Sequence, residues 1–196
     1  MIQIKSLESH EVDEALTVYE ATFGARDHTT KEELITRLEK GTGIFYVAVD
    51  IETNQIVGIK FGYTEGTGCI GRGIAVLPTY RRRGIATSLL RHFEAALAAS
   101  PIITNYAFGS GTDEGVPFHI ASGYIPKALL QFNDQELRQQ LDLTGFQIAH
   151  EGYNETYKIY QIYLELEQPD QNLAYLRQLE EQFPETNVQF MFSKEF

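Results

Sequence analysis

Apolar and polar positions follow two different periods along this chain, and the switches between them predict its elements. IQIK, residues 2–5, reads as a short strand. SHEVDEALTVYEATFG, residues 9–24, reads as a helix, because Val12, Ala15, Leu16, Tyr19 and Phe23 fall near one stripe and Gly24 supplies a stop. A second helix is expected in TTKEELITRLEK, with Thr30 as N-cap, Glu33 three residues on to complete a capping box, and Gly41 as terminator. Three β-like runs rich in Ile, Val, Phe and Tyr follow: GIFYVAVD, QIVGIKFGYTE and CIGRGIAVLP. The polar turn IETN divides the first two, which predicts an antiparallel meander.

GIATSLLRHFEAALAAS restores the helical period, with Ile85, Leu89, Phe93 and Leu97 at intervals of four. PIITNYAFGS then reads as a buried strand and VPFHIAS as a short helix, with Pro117 in its first turn and Gly123 just past its end. Beyond Pro126, DQELRQQL is expected to be helical, and FQIAHEGYNETYKIYQIYLELE to form two strands around GYNET. NLAYLRQLEEQF is a helix striped by Leu173, Leu176, Leu179 and Phe183, and VQFMFSKEF alternates like a last strand. The alternation also assigns Tyr153, Tyr157, Tyr160 and Tyr163 mostly to the core. Strands mixed with helices in this order predict an α/β fold of α+β layers: a mixed, mostly antiparallel twisted sheet flanked by helices.

Composition adds bounds to that pattern. A chain of 196 residues fits one domain, since a domain takes roughly 100–200 residues. The expected organisation is a main domain over residues 1–166 and a helix-strand extension over 167–196, packed on it and a candidate dimer surface. The start of the chain lacks the basic-then-apolar order of a signal peptide, and with no long apolar run the expected setting is cytoplasmic, without membrane partners. A single cysteine, Cys69, excludes an internal disulfide and a multi-cysteine metal site, and the five histidines show no paired ligand spacing, so no metal is expected. The formal net charge of −11 argues against a nucleic-acid partner and suits a cationic one.

In an acidic chain, the arginines of LPTYRRRGIATSLL stand out because they sit where a strand hands over to a helix. A helix N-terminus leaves backbone N–H groups unpaired and attracts anions. Gly84 lets a ligand approach the backbone, Ala86 leaves the approach open, and guanidinium groups can pair with phosphate oxygens bidentately. GTGCIG, residues 66–71, formally satisfies a dinucleotide fingerprint, but strand-like residues follow it where a helix is required. A turn between two strands explains those glycines.

With GIAVLPTY before it and an amphipathic helix after it, RRRGIA resembles the acetyl-CoA motif of the GNAT superfamily of N-acetyltransferases, Arg/Gln-x-x-Gly-x-Gly/Ala, through Arg81, Gly84 and Ala86. PFHIASGYIP resembles the same family's second signature, a short helix followed by another strand. The resemblance spans residues 1 to about 126. It implies a sheet that opens between its fourth and fifth strands, with the pantetheine arm of acetyl-CoA along the fourth. By that analogy the backbones of Ala75 and Val76 bind the pantetheine, and Arg81, Arg82, Arg83, Gly84, Ile85, Ala86 and Thr87 hold the diphosphate. Thr112 stands where the family commonly has an asparagine that contacts the coenzyme.

The implied reaction is direct attack of a primary amine of a small molecule or peptide on the acetyl thioester. It calls for a base, donors for the oxyanion and an acid for the departing sulfur. His119 occupies the position of the family's usual tyrosine acid, and an imidazole can carry a proton near neutrality. Glu65 is the candidate base, and Asp27 and His28, between the first two helices, are candidates for holding the acceptor. The departures at Thr112 and His119 keep open a rival of a different kind, a non-catalytic acyl-CoA-binding or interaction protein on the same fold.

Overall fold

The computed structural model describes residues 1–25, 29–109, 115–166 and 169–195. They divide into two units, Met1–Gly111 with the last two residues, and Thr112–Lys194. The boundary expected at residues 166/167 therefore falls inside the second unit.

In the first unit, β1 (Ile2–Ser6), β2 (Gly43–Asp50), β3 (Gln55–Glu65) and β4 (Gly68–Val76) pair antiparallel in sequence order. β5 (Asn105–Gly109) adds to β4 in parallel. Two helices, α1 (Val12–Phe23) and α2 (Lys31–Lys40), cover one face of this sheet, where Leu16 and Tyr19 of α1 and Leu34 of α2 pack on Phe45, Ile59, Phe61 and Tyr63. α3 (Ile85–Ala98) covers the other, with Ile85 and Leu89 against Ala48, Val57 and Val76. The predicted stripes are thus the buried ones, because each helix needs a single apolar face to seal a layer.

Local signals act as expected at several ends. Thr30 Oγ1 accepts the Glu33 N–H at 3.2 Å, and Gly41 closes α2 in the left-handed region at φ +63°. The Glu33 carboxylate does not complete the capping box; it accepts from Arg37 Nε, one turn along the helix. β3 ends at Glu65 and β4 begins at Gly68, so the glycine-rich run is a strand-to-strand turn. Two predicted elements are shorter than expected: β4 stops at Val76, before Pro78–Tyr80 wind into a 3-10 turn, and β5 begins only at Asn105.

The second unit holds α4 (Gly115–Ala121), β6 (Ile125–Phe132), β7 (Gln147–Asn154), β8 (Ile159–Glu165), α5 (Pro169–Gln182) and β9 (Asn187–Glu195). β6 lies between β9 and β8, β7 flanks β8, and all three pairings are antiparallel. Leu130, Ile162, Leu164 and Phe192 are buried in it. Gln135–Gln139 form a short 3-10 helix within the stretch expected to be helical, started by Asp134, whose side chain accepts the Glu136 N–H. The tyrosines are a correction: Tyr153 is 43% and Tyr157 71% exposed, and Tyr160 and Tyr163 are half-buried. No residue of β7 is buried, and Tyr157 lies in the turn between β7 and β8, so alternation there does not mean burial.

Gly62 of β3 lies directly beneath the Phe93 ring of α3; a Cβ there would stand 2.4 Å from Phe93 Cζ. Gly62→Ala is expected to destabilise the first unit by about 1–3 kcal/mol, as overpacking does, and a shift of the urea midpoint with unchanged slope checks it.

Candidate active site

Two features of β4 define the site. First, its ladder with β3 runs from Gly68 to Val76, whereas its ladder with β5 covers only Gly68–Ile70 against Asn105–Ala107. Arg72 is an extra residue in β4, between Gly71 opposite Gly62 and Gly73 opposite Phe61. A bulge raises local twist and turns a strand away from its neighbour, so beyond Ile70 one edge of β4 leaves the ladder. The Leu77 N–H donates to the Val57 carbonyl at 2.9 Å. Alternation then points the groups of Ala75 toward β3 and those of Ile74 and Val76 to the open edge. Of the two residues expected to offer their backbone, Val76 is thus the one on that edge.

Second, the chain leaves β4 through a turn that is held open. Arg81 Nε donates to the Val76 carbonyl at 3.1 Å, and an Arg83 terminal nitrogen donates to the Thr79 carbonyl at 2.9 Å. The Arg83 guanidinium also lies 5.1 Å from the centre of the Tyr80 ring, and the Tyr80 hydroxyl donates to Asp50 at 3.0 Å. Two of the three arginines therefore brace the turn, while Arg82, at φ +60°, is an exposed residue in the left-handed region. Gly84 is the N-cap of α3 at φ +75°, no side chain caps it, and a Cβ at Gly84 would meet no atom within 4 Å. Ser88 is the first residue of α3 to donate back, to the Gly84 carbonyl. The N–H groups of Ile85, Ala86 and Thr87 precede that first bond, facing open space with the positive end of the helix dipole behind them. A diphosphate fits such a cradle.

The other predicted residues belong to other elements. Glu65 ends β3, 58% exposed, with its carboxylate 3.8 Å from the Arg37 guanidinium. His119 lies on α4 in the second unit, 6% exposed, with ring centres of Phe118, Tyr124 and Phe192 between 5.1 and 5.9 Å away. Asp27, His28 and Thr112 lie outside the described residues. Among the described residues no group of three or more His, Cys, Asp or Glu is placed to hold a metal, and no helix is long and apolar enough to cross a membrane.

Residues 41–124 match a family model described as an acetyltransferase (GNAT) domain. Over those residues the chain is similar to GNAT acetyltransferase domains. A GNAT-family acetyltransferase from Staphylococcus aureus Mu50 superposes with a TM-score of 0.56 at 15% identity, over 85% of this chain and 100% of that one. The PaiA N-acetyltransferase of Thermoplasma acidophilum, solved in complex with coenzyme A, gives 0.51 at 14% identity, over 85% and 99%. A predicted acetyltransferase with acetyl-CoA from Clostridium acetobutylicum gives 0.54 at 15% identity, over 63% and 89%. At such identities the likeness is one of fold. No curated protein matches the chain.

One group of the first unit escaped the sequence reading altogether. Lys60 of β3 is 2% exposed on the α3 side of the sheet, between Gly58 and Gly62. Its Nζ donates to the carbonyls of Phe61 at 3.1 Å and Gly73 at 3.4 Å, and lies 4.4 Å from the Phe93 ring centre, 5.2 Å from Tyr106 and 5.8 Å from Phe108. Burial brings its pKa down from 10.5 to about 7, against weaker opposite pulls from Cys69 and Glu94. Burial also pushes the Cys69 thiol up to about 11, so it stays neutral. The only signal in QIVGIKFGYTE was a lysine breaking an apolar run between two glycines, a pattern that an outward-facing lysine on an edge strand produces equally well.

The Lys60 shift has a consequence for stability. Its folded pKa lies below its unfolded one, so from about pH 7 to 10.5 the unfolded chain binds the extra proton, and stability rises with pH. The rise from pH 7 to 9 precedes any opposing titration of Cys69, whose usual value is 9.0. Urea midpoints across that range are expected to climb in the parent protein, and Lys60→Met is expected to flatten the climb.

Proposed function

We propose that the protein is an N-acetyltransferase that takes an acetyl group from acetyl-CoA and passes it to a primary amine of a small molecule or peptide, in the cytoplasm. The observation that carries the reading is the uncapped, sterically open N-terminus of α3 at Gly84, reached directly from the unladdered edge of β4. Acetyl-CoA supplies an activated acyl carbon and a good leaving group. The chain's own residues do the rest: the amides of Ile85, Ala86 and Thr87 and the side chain of Arg82 bind the diphosphate, and Val76 offers its N–H along the strand edge. Arg81 and Arg83 act indirectly, fixing the turn through the Val76 and Thr79 carbonyls. The support for amine acceptors is the family resemblance together with the chain's net negative charge, which draws cations.

For proton handling, His119 is the proposed acid and Glu65 the proposed base. Glu65 lies beside the Arg37 guanidinium, and its exposure leaves it to act through water. The enclosure of His119 by three aromatic rings fixes its orientation, as a general acid needs. Asp27 and His28 remain the proposed acceptor contacts, and Thr112 a proposed coenzyme contact.

Calorimetric titration with acetyl-CoA tests the donor half. The parent protein is expected to bind saturably and Gly84→Glu to lose binding by about a hundredfold or more, because a carboxylate would enter the open space above the amides. Absence of binding in the folded parent protein would overturn the reading; binding without turnover across a panel of amines would favour the non-catalytic rival. His119→Phe is expected to lower kcat about tenfold or more with little change in KM for acetyl-CoA. An unchanged kcat across pH would remove His119 from the mechanism.

A further inference from the structure

The first unit contains a cation that the diphosphate turn does not use. Lys60 stands opposite Ile74 in the β3–β4 register, and Ile74 directs its backbone to the open edge of β4. The Nζ itself reaches across to the Gly73 carbonyl and to the rings of Tyr106 and Phe108 on β5. It therefore lies where β4 and β5 stop pairing, just past Ile70 and Ala107. An ammonium has three protons to donate, and the Phe61 and Gly73 carbonyls take two. Among the described residues the third meets ring faces, which attract a cation without replacing an anionic or lone-pair acceptor.

Nothing in the packing demands a charge here. A methionine or leucine would fill similar space between Gly58, Gly62 and Phe93 without the cost of desolvating an ammonium. An ammonium kept in a dry site is worth most where negative charge appears, since the low local dielectric magnifies the attraction and its position is already set.

We infer that Lys60 receives the sulfur end of coenzyme A at the point where β4 and β5 part, and holds the sulfur as its anion. This rests on the acetyl-CoA reading above. In acetyl transfer the acceptor nitrogen bonds to the acyl carbon, the carbon–sulfur bond breaks, and its electron pair stays on sulfur. The proton shed by the nitrogen passes through water to Glu65, and Lys60 balances the charge on sulfur until the proposed acid, His119, protonates it. With a pKa near 7 about half of the population is charged at neutral pH, and pairing with an anion would raise that value again. The other titratable groups packed around Lys60 are Cys69 on β4, Glu94 on α3, Tyr106 on β5 and Tyr46, opposite it on β2.

The test is a pH titration of the ultraviolet thiolate absorbance of free-thiol coenzyme A bound to the protein. Subtracting the ligand-free protein removes the signals of Cys69 and the tyrosines. In the parent protein the bound thiol is expected to titrate about one unit or more below free coenzyme A, which is tenfold more thiolate on the basic side of neutrality. Lys60→Met, or Lys60→Leu if the first variant misfolds by thermal melting, is expected to return the thiol to its free value or above. Coenzyme that binds the parent protein yet titrates as it does in water overturns the role of Lys60 and leaves the acetyl-CoA reading standing. A parent protein that binds no coenzyme A overturns that reading, and this inference with it.

Discussion

The partial ladder of β4 is the constraint on which the first unit's site depends. A strand inside a sheet normally satisfies its backbone on both sides, and β4 does so with β3 throughout but with β5 for only three residues. The extra residue at Arg72 is the local cause, because a bulge disturbs the regular alternation and increases twist. One stretch of strand edge is thus left with polar groups to offer, and it runs straight into a helix N-terminus with the same property.

Around that edge the surrounding structure does two opposite things. The turn after β4 is made rigid by side-chain bonds: Arg81 to the Val76 carbonyl, Arg83 to the Thr79 carbonyl, and the Tyr80 hydroxyl to the Asp50 carboxylate. The cap position is nevertheless left bare, since Gly84 has no side chain to satisfy the amides and adopts a positive φ that other residues resist. Rigidity with unfilled donors is preorganisation for an anion, and a capping serine or aspartate would have cancelled it.

Charge is used sparingly in the same spirit. The chain as a whole is strongly acidic, yet cations gather at β4: arginines at its end, Lys60 behind its bulge, and Arg72 with Arg37 against the Tyr63 ring. Lys60 is the extreme case, because its ammonium is fully shielded from water and answered by carbonyls and ring faces. Its depressed pKa is the physical record of that shielding.

By itself the sequence determined what short-range chemistry decides. The stripe Ile85, Leu89, Phe93 and Leu97, the Thr30 cap, the Gly41 stop and the strand-turn-helix frame around Gly84 are legible because each depends on residues within a turn or two of one another. The family resemblance was legible for the same reason, since RRRGIA and PFHIASGY are contiguous runs. What only tertiary structure decided depends on strangers in sequence. The exposure of Tyr153 follows from which elements cover a sheet face, and the alternation that marks a face cannot say whether it is covered. The bracing role of Arg81 and Arg83 follows from where the 3-10 turn points them, and the burial of Lys60 from Phe93, Tyr106 and Phe108 arriving over a floor of two glycines. A local pattern records a residue's own propensity, whereas a site is a coincidence of long-range neighbours that packing alone brings about.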